Sequence, residues 1–259
     1  MVAPLSSPVC SRVTLARGAE GVKNKMRKEG DTIPGLSVVI PALNAAATLP
    51  GVFAALLYGP AEIILVDGGS SDDTAALAEA RGAFVVRAPR GRGLQLAAGL
   101  AAARGPWLLL LHADTRLATG WEAAVCRVMA DATAIRRAWY FRFALDDRSP
   151  AARRLERAVA WRCRLFALPY GDQGLLIHRD LLERIGGIRP LPLMEDVDLV
   201  RRLGRARLGA LPVAAVTSAA RWRREGYLRR SSRNLLCLGL WFLGVPPRII
   251  ARMYARRGT

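Results

Sequence analysis

Three clusters of acids in this chain have the residue types and spacing to do chemistry. The first is Asp67-Gly68-Gly69-Ser70-Ser71-Asp72-Asp73-Thr74. Its glycines let backbone amides approach a ligand, and Asp67 can accept a hydrogen bond from a base N–H or a ribose hydroxyl. A capped turn, with Asp72 or Asp73 opening a helix, is the competing reading. The second is His112-Ala113-Asp114, where a carboxylate beside an imidazole can hold a divalent ion that also takes diphosphate oxygens. The competing reading is a strand-end aspartate capping the next turn. The third is Met194-Glu195-Asp196-Val197-Asp198. Its carboxylates suit a helix N-terminus electrostatically, and one of them can serve as a general base toward an acceptor hydroxyl.

Each cluster needs an element to position it. Trp107 through Leu111 run apolar without a break and end at His112, as a strand buried on both faces does. Leu36–Pro41 reads as a strand ending at a proline, Glu62–Asp67 as a second and Ala83–Arg87 as a third. Helical spacing spans Asn44–Tyr58, Thr74–Arg81 and Leu94–Arg104. Strand and helix alternating at these intervals predict βαβ units and a mostly parallel sheet, with ligands at the strands' carboxyl ends. Beyond Thr115 the pattern loosens. It predicts helices over Trp121–Ala130, Pro150–Leu168, Asp180–Ile185 and Glu195–Leu203, and strands over Trp139–Leu145, Leu175–Ile177 and Val213–Thr217.

The 259 residues are 52% hydrophobic, enough for a full core and against wholesale disorder. Cys10, Cys126, Cys163 and Cys237 form no CxxC pair, so a structural zinc site or disulfide framework is not expected and a reducing compartment fits. The net charge of +18 is uneven: +4 over residues 1–30, zero over 31–150 and +14 over 151–259. Compositional drift toward Ala and Arg competes with three partner classes for that excess: nucleic acid, an anionic membrane face or a polyanionic substrate. The first fifteen residues lack a signal-peptide core, and Met26 stands before the domain start as an alternative initiation site.

In order along the chain, LSVVIPALN (Leu36–Asn44), IILVDGGSSDDT (Ile63–Thr74), LLLHADT (Leu109–Thr115), GDQG (Gly171–Gly174) and Glu195–Asp196 resemble a glycosyltransferase family 2 enzyme with the GT-A fold. The resemblance covers roughly residues 36–226. GRGLQ, LHADT, GDQG and MEDVDL are similar to the subgroup labelled radical-SAM/selenodomain-associated transferases. It implies an α/β sheet flanked by helices and an inverting transfer from a UDP- or GDP-linked sugar to an acceptor hydroxyl. By the same resemblance Pro41 and Asn44 border the nucleotide, Asp67 contacts base or ribose, and Gln95 of GRGLQ and Ala113 fall within the donor site. Asp114 is the principal ligand of Mg²⁺ or Mn²⁺, with His112 and His178 as secondary candidates. Asp196, with Glu195 beside it, is the catalytic base. Asp172 and Gln173 border a sugar, and Arg92 and Arg221 are candidate phosphate contacts, against a surface role for each. Three positions depart from the family pattern: His112 replaces an aspartate, Ala45 an acid and Ala97 an asparagine.

These motifs divide the chain into a basic extension (1–33), a transferase domain (34–226) and a basic, apolar C-terminal segment (227–259). Leu235–Val245 is apolar for eleven residues, too short to span a bilayer, and ten arginines flank it from Arg221 onward. An interfacial helix on anionic lipid and a helix covering the core are the two readings. The expected setting is cytoplasmic, on the inner membrane face if the segment binds lipid. Nucleic acid is not an expected partner, because no zinc-finger, RNP or basic-zipper pattern accompanies the charge. A non-catalytic nucleic-acid-binding or membrane-surface protein and a sugar nucleotidyltransferase are the alternatives. The nucleotidyltransferase lacks its glycine-rich start, since Ile40–Asn44 contains no glycine.

Overall fold

A computed structural model describes residues 32–57 and 59–256. Cys10, Met26 and nearly all of the basic extension lie outside the described residues. Eight strands form one sheet: β1 (Ile33–Ala42), β2 (Pro60–Asp67), β3 (Phe84–Arg87), β4 (Trp107–Leu110), β5 (Thr115–Leu117), β6 (Ala138–Leu145), β7 (Leu175–His178) and β8 (Leu208–Thr217). Their order is β3-β2-β1-β4-β7-β6-β8-β5. The first four are parallel, as the alternating pattern predicts. At β7 the sense reverses: β7 is antiparallel to both β4 and β6, and β5 is antiparallel to β8. The neighbours β6 and β8 are parallel again, so the sheet is mixed, with a parallel first half and a second half in which β7 and β5 run against the rest.

Ten helices surround it among the described residues: α1 (Leu49–Ala55), α2 (Thr74–Glu79), α3 (Arg92–Ala102), α4 (Trp121–Ala130), α5 (Pro150–Phe166), α6 (Arg179–Arg184), α7 (Glu195–Leu203), α8 (Ala220–Glu225), α9 (Tyr227–Phe242) and α10 (Pro247–Arg256). The strands' two-residue period sorts the core into two layers. Val38, Ile40, Leu65 and Leu109 face α1, α2 and α4. Val39, Ile64, Val66, Leu108 and Leu110 face α3, α6 and α7. The helix α3 lies close on the sheet because Gly99 has no side chain; a Cβ there would overlap Val39 and Val66.

Several boundaries differ from the sequence reading. Pro41 does not end β1. The ladder to β4 stops at Val39, whereas the ladder to β2 runs on to Ala42, so the proline sits where one neighbour has already left. The first helix starts at Leu49 instead of near Asn44, because Asn44 takes a left-handed φ of 49°. Two elements carry no hydrophobic signature long enough to read: the three-residue β5 and the six-residue α8. The C-terminal segment is two helices broken at residues 243–246, and α9 turns Cys237, Leu238 and Trp241 inward.

Candidate active site

The parallel half delivers Asp67 and His112–Asp114 past the ends of β2 and β4. Asp67 is buried and accepts from the Ser70 amide at 3.1 Å and from the Ser70 hydroxyl. Asn44 closes the same turn: its Oδ1 accepts from the Ser71 amide at 2.9 Å, and its own amide donates to Ser70 Oγ at 2.9 Å. Asp72 accepts from the Ala46 amide at 3.0 Å and caps Thr74, a hydrogen bond that holds its carboxyl below the usual range. The Asp67 cluster is thus also a stitched turn, beside a cavity of about 580 Å³ that Asp67, Ser70 and Arg87 line.

A second cavity, of about 250 Å³, is lined by His112, Asp114, Asp172, Asp196 and Arg221. Residues from both halves of the sheet meet here, and α9 and α10 contribute Asn234, Cys237 and Tyr254. Asp67 does not line it. Ala113 supports the turn, its carbonyl accepting from Thr48 Oγ1 at 2.7 Å. The Asp114 carbonyl accepts from the Ser218 amide at 3.0 Å, and Thr115 meets Thr217 hydroxyl to hydroxyl at 2.9 Å.

Arg92 occupies the centre of this arrangement. Its Nε donates to Glu195, its Nη2 to Asp196 Oδ2 at 3.0 Å and its Nη1 to His112 Nε2 at 3.0 Å. The guanidinium is committed to protein groups, so Arg92 is neither a solvated surface arginine nor a free phosphate contact. It stands at the N-terminus of α3 because Gly93 lets the helix touch the 189–191 backbone; a Cβ there would lie 2.8 Å from Arg189 O and from Leu191 N and O. Glu195 is 1% exposed, which withdraws it from any acceptor; burial raises its pKa against the pull of Arg92. For Asp196 burial acts the same way, but Arg92 and the Gly171 and Val197 amides, at 2.9 and 2.8 Å, outweigh it and hold the carboxyl below its ordinary value. The preceding Met194 caps α7 with a left-handed φ of 66°, a strained conformation for a side-chain-bearing residue.

Burial, then the charge of Arg92, lowers the His112 pKa to about 4, so the ring is neutral at pH 7. Because a guanidinium only donates, Nε2 accepts and the ring proton belongs on Nδ1, which lies 3.9 Å from Asp114 Oδ1. In this arrangement His112 has no free lone pair for a metal. His178 is excluded as a ligand by position: it pairs with Trp107 at the start of β4, the end away from Asp114, and its Nδ1 accepts from the Asp180 amide at 3.3 Å.

The GDQG segment forms a 3₁₀ turn, Gly171–Gln173. Its first glycine is required by space: a Cβ on Gly171 would lie 2.8 Å from His112 Nε2 and 3.4 Å from Asp196 Oδ2. Gln173 is buried and faces the protein, donating to Phe141 O at 3.0 Å and accepting from Cys163 at 3.2 Å. Gln95 is likewise internal: its amide donates to Ala42 O at 2.7 Å and Val66 O at 2.8 Å, tying the ends of β1 and β2. Neither glutamine has its amide turned to a ligand. Pro41 lines, with Arg92, a separate small cavity of about 40 Å³. Asp172 does face the main cavity. Its Oδ1 is buried without a hydrogen-bond partner, and burial pushes its pKa up to about 6. Sequence spacing gives no sign of that orphaned oxygen. Arg221 is exposed at the cavity rim.

Among the described residues no group of three His, Cys, Asp or Glu side chains is placed to hold a metal by itself. Asp114 offers one partly exposed carboxylate. That fits an ion whose other ligands are substrate phosphates and water, the usual Mg²⁺ arrangement, and does not fit an all-protein cage.

Fold and site together define a transferase with a GT-A architecture. The chain belongs to glycosyl transferase family 2, whose model matches residues 37–167. An uncharacterized glycosyltransferase of Mycobacterium tuberculosis is 40% identical over 92 residues, 35% of this chain and 40% of that protein. A PGL/p-HBAD biosynthesis glycosyltransferase of the same species is 35% identical over 94 residues, 32% of this chain and 37% of that protein. The matches thus span about two fifths of these curated relatives. In fold, the chain is similar to glucosyl-3-phosphoglycerate synthase from M. tuberculosis, solved with Mn²⁺, UDP and glucosyl-3-phosphoglycerate. The TM-score is 0.57 and the identity 23%, covering 82% of this chain and 80% of that one.

Proposed function

We propose that the chain transfers a sugar from a nucleoside-diphosphate sugar, UDP- or GDP-linked, to an acceptor hydroxyl with inversion at the anomeric carbon. The convergence of Asp114, Asp172 and Asp196 on one cavity carries this reading. The Mn²⁺–UDP complex of the synthase with the same fold supports a divalent ion and a uridine nucleotide. The motifs GRGLQ, LHADT, GDQG and MEDVDL support a place in the radical-SAM/selenodomain-associated subgroup.

Asp67 receives the base or ribose, with Asn44 shaping its turn, and Asp114 with Arg221 receives the diphosphate. Asp114 holds Mg²⁺ or Mn²⁺, which when bound supplies Lewis-acid stabilisation of the leaving diphosphate. The acceptor oxygen forms the new bond to the anomeric carbon while the bond to the diphosphate oxygen breaks, its electron pair leaving with the diphosphate. The hydroxyl proton passes to a carboxylate of the chain. The motif order assigns that task to Asp196, positioned by Arg92 and the Gly171 amide. One observation favours Asp172 instead: its Oδ1 accepts no hydrogen bond, whereas both Asp196 oxygens are engaged. A pKa of about 6 also suits a base working near neutrality better than a lowered one.

Thermal melting with a panel of nucleoside diphosphates and Mn²⁺ tests the function. One nucleotide is expected to stabilise the chain, and Asp114→Ala to lose the metal-dependent part of the shift. No shift with any nucleotide rejects sugar transfer. For the base, Asp172→Asn and Asp196→Asn are compared with donor binding intact. The true base is the one whose loss removes turnover, by about a hundredfold or more.

We further propose that the chain sits at an anionic membrane surface on the cytoplasmic side. The exposed Leu235, Leu236, Phe242 and Leu243 on and after α9, with arginines around them, support interfacial contact. Among the described residues, no helix is long and apolar enough to cross a membrane.

A further inference from the structure

A larger cavity lies beside the one lined by Asp114 and Asp196. A groove of about 800 Å³ runs between α5 and α9. Leu155, Val159, Arg162 and Phe166 line it from one helix face, and Ser231, Leu235, Leu238 and Phe242 from the other. Both sets follow the three-and-four spacing of a single helical stripe. Two such stripes normally interdigitate; here they face each other across open space large enough for a small-molecule ligand. Its surface is mainly apolar, and Trp161, Leu165 and Phe166 remain more than half exposed along it.

The groove adjoins the candidate active site. Tyr170, Asp172, Trp222 and Asn234 line both cavities, so its inner end lies beside the acids. There the lining turns polar: Asp172 stands with Arg162, Ser231 and Asn234, and its carboxylate keeps one oxygen, Oδ1, without a donor from the protein. A carboxylate oxygen calls for a hydroxyl and disfavours a phosphate. The outer part carries Arg201, stacked on the Phe242 ring at 4.9 Å, and Arg205.

We propose that the acceptor is an alcohol carried on a long apolar chain, with the chain lying between α5 and α9 and its hydroxyl meeting Asp172 at the inner end. The proposal rests on the sugar-transfer reading for what happens to that hydroxyl, but not for its binding. A hydroxyl seated there donates to Asp172 while its oxygen faces the Asp114 cavity. The apolar tail displaces water from the groove, and the arginines at the outer end meet the anionic surface from which such an alcohol is drawn.

Equilibrium dialysis of the full chain with tritiated farnesol tests this, with the UDP–Mn²⁺ melting shift measured on the same samples. Saturable binding is expected, weakened at least tenfold in an Ala158→Arg, Leu235→Arg double variant. Both residues are exposed on the groove wall, so the fold should survive. Leu228→Arg, exposed on α9 but outside the groove, should bind as the parent does. An absence of saturable binding overturns the proposal, as does equal binding by the double variant. So does a dimer, seen by sedimentation equilibrium, that excludes farnesol because a second copy fills the groove. If farnesol binds as expected but no nucleotide shifts the melting point, the groove stands and the transfer reading falls.

Discussion

Arg92 sets the charge state of the whole site. One guanidinium meets Glu195, Asp196 and His112; it keeps Asp196 ionised and adds to the burial that holds His112 neutral. Removing it leaves the buried Glu195 uncompensated. Arg92→Ala is expected to cost about 3 kcal/mol, read as a lower denaturation midpoint. The His112 pKa should rise toward its ordinary value, which NMR titration of the ring would follow. Asp172 works in the opposite sense. Its folded pKa, about 6, lies above the unfolded value, so the native state binds more protons between about pH 4 and 6. Stability therefore falls as pH rises through that window, by on the order of 2–3 kcal/mol, and stays lowered above it. Asp172→Asn should be more stable than the parent at pH 7–8, with the gain gone by about pH 4; chemical denaturation at several pH values measures it. A group that costs stability and gains when replaced is common where function, not folding, selects the residue.

Two glycines carry the elements to one another. Gly93 allows the backbone contact between α3 and the 189–191 segment, and Gly171 allows the 3₁₀ turn to lie against His112 and Asp196. Gly93→Ala must push two backbones apart and is expected to lose about 1–3 kcal/mol by calorimetry. In Gly171→Ala the neighbours are side-chain tips, so turnover should fall far more than the melting point. The parallel half was legible because each buried strand is a dense apolar run closed by a polar turn. The positions of α4 and α7 follow their amphipathic spacing to the residue. The second half was harder to read. Short strands such as β5 and a partly exposed helix such as α8 have too few turns or alternations to show a period. At the site, the acids were visible as types, but their partners were not. Gln95 and Gln173 sit inside motifs yet spend their amides on backbone carbonyls, and Arg92 reaches residues a hundred positions away. Such pairings depend on which strand neighbours which, and β7 beside β4 cannot be inferred from spacing.

The charge of the chain is concentrated where the helices α5, α8, α9 and α10 lie. If lipid contact explains the excess, binding to phosphatidylglycerol vesicles should be strong at about 0.1 M salt and lost near 1 M, as the screening length drops from about 10 to about 3 Å. Co-sedimentation that is equal with and without vesicles at low salt would leave compositional drift as the account of the charge. The reversal of strand sense at β7 falls, in the chain, between the elements that Arg92 joins. Family 2 sequence similarity reaches residue 167, just short of the GDQG turn and α7. Arg92 lies within that match and its two carboxylate partners lie beyond it. The guanidinium that crosses the junction must find its two carboxylates, so a chimera joined near Leu111 should lose stability unless its incoming portion supplies an acidic pair to receive Arg92.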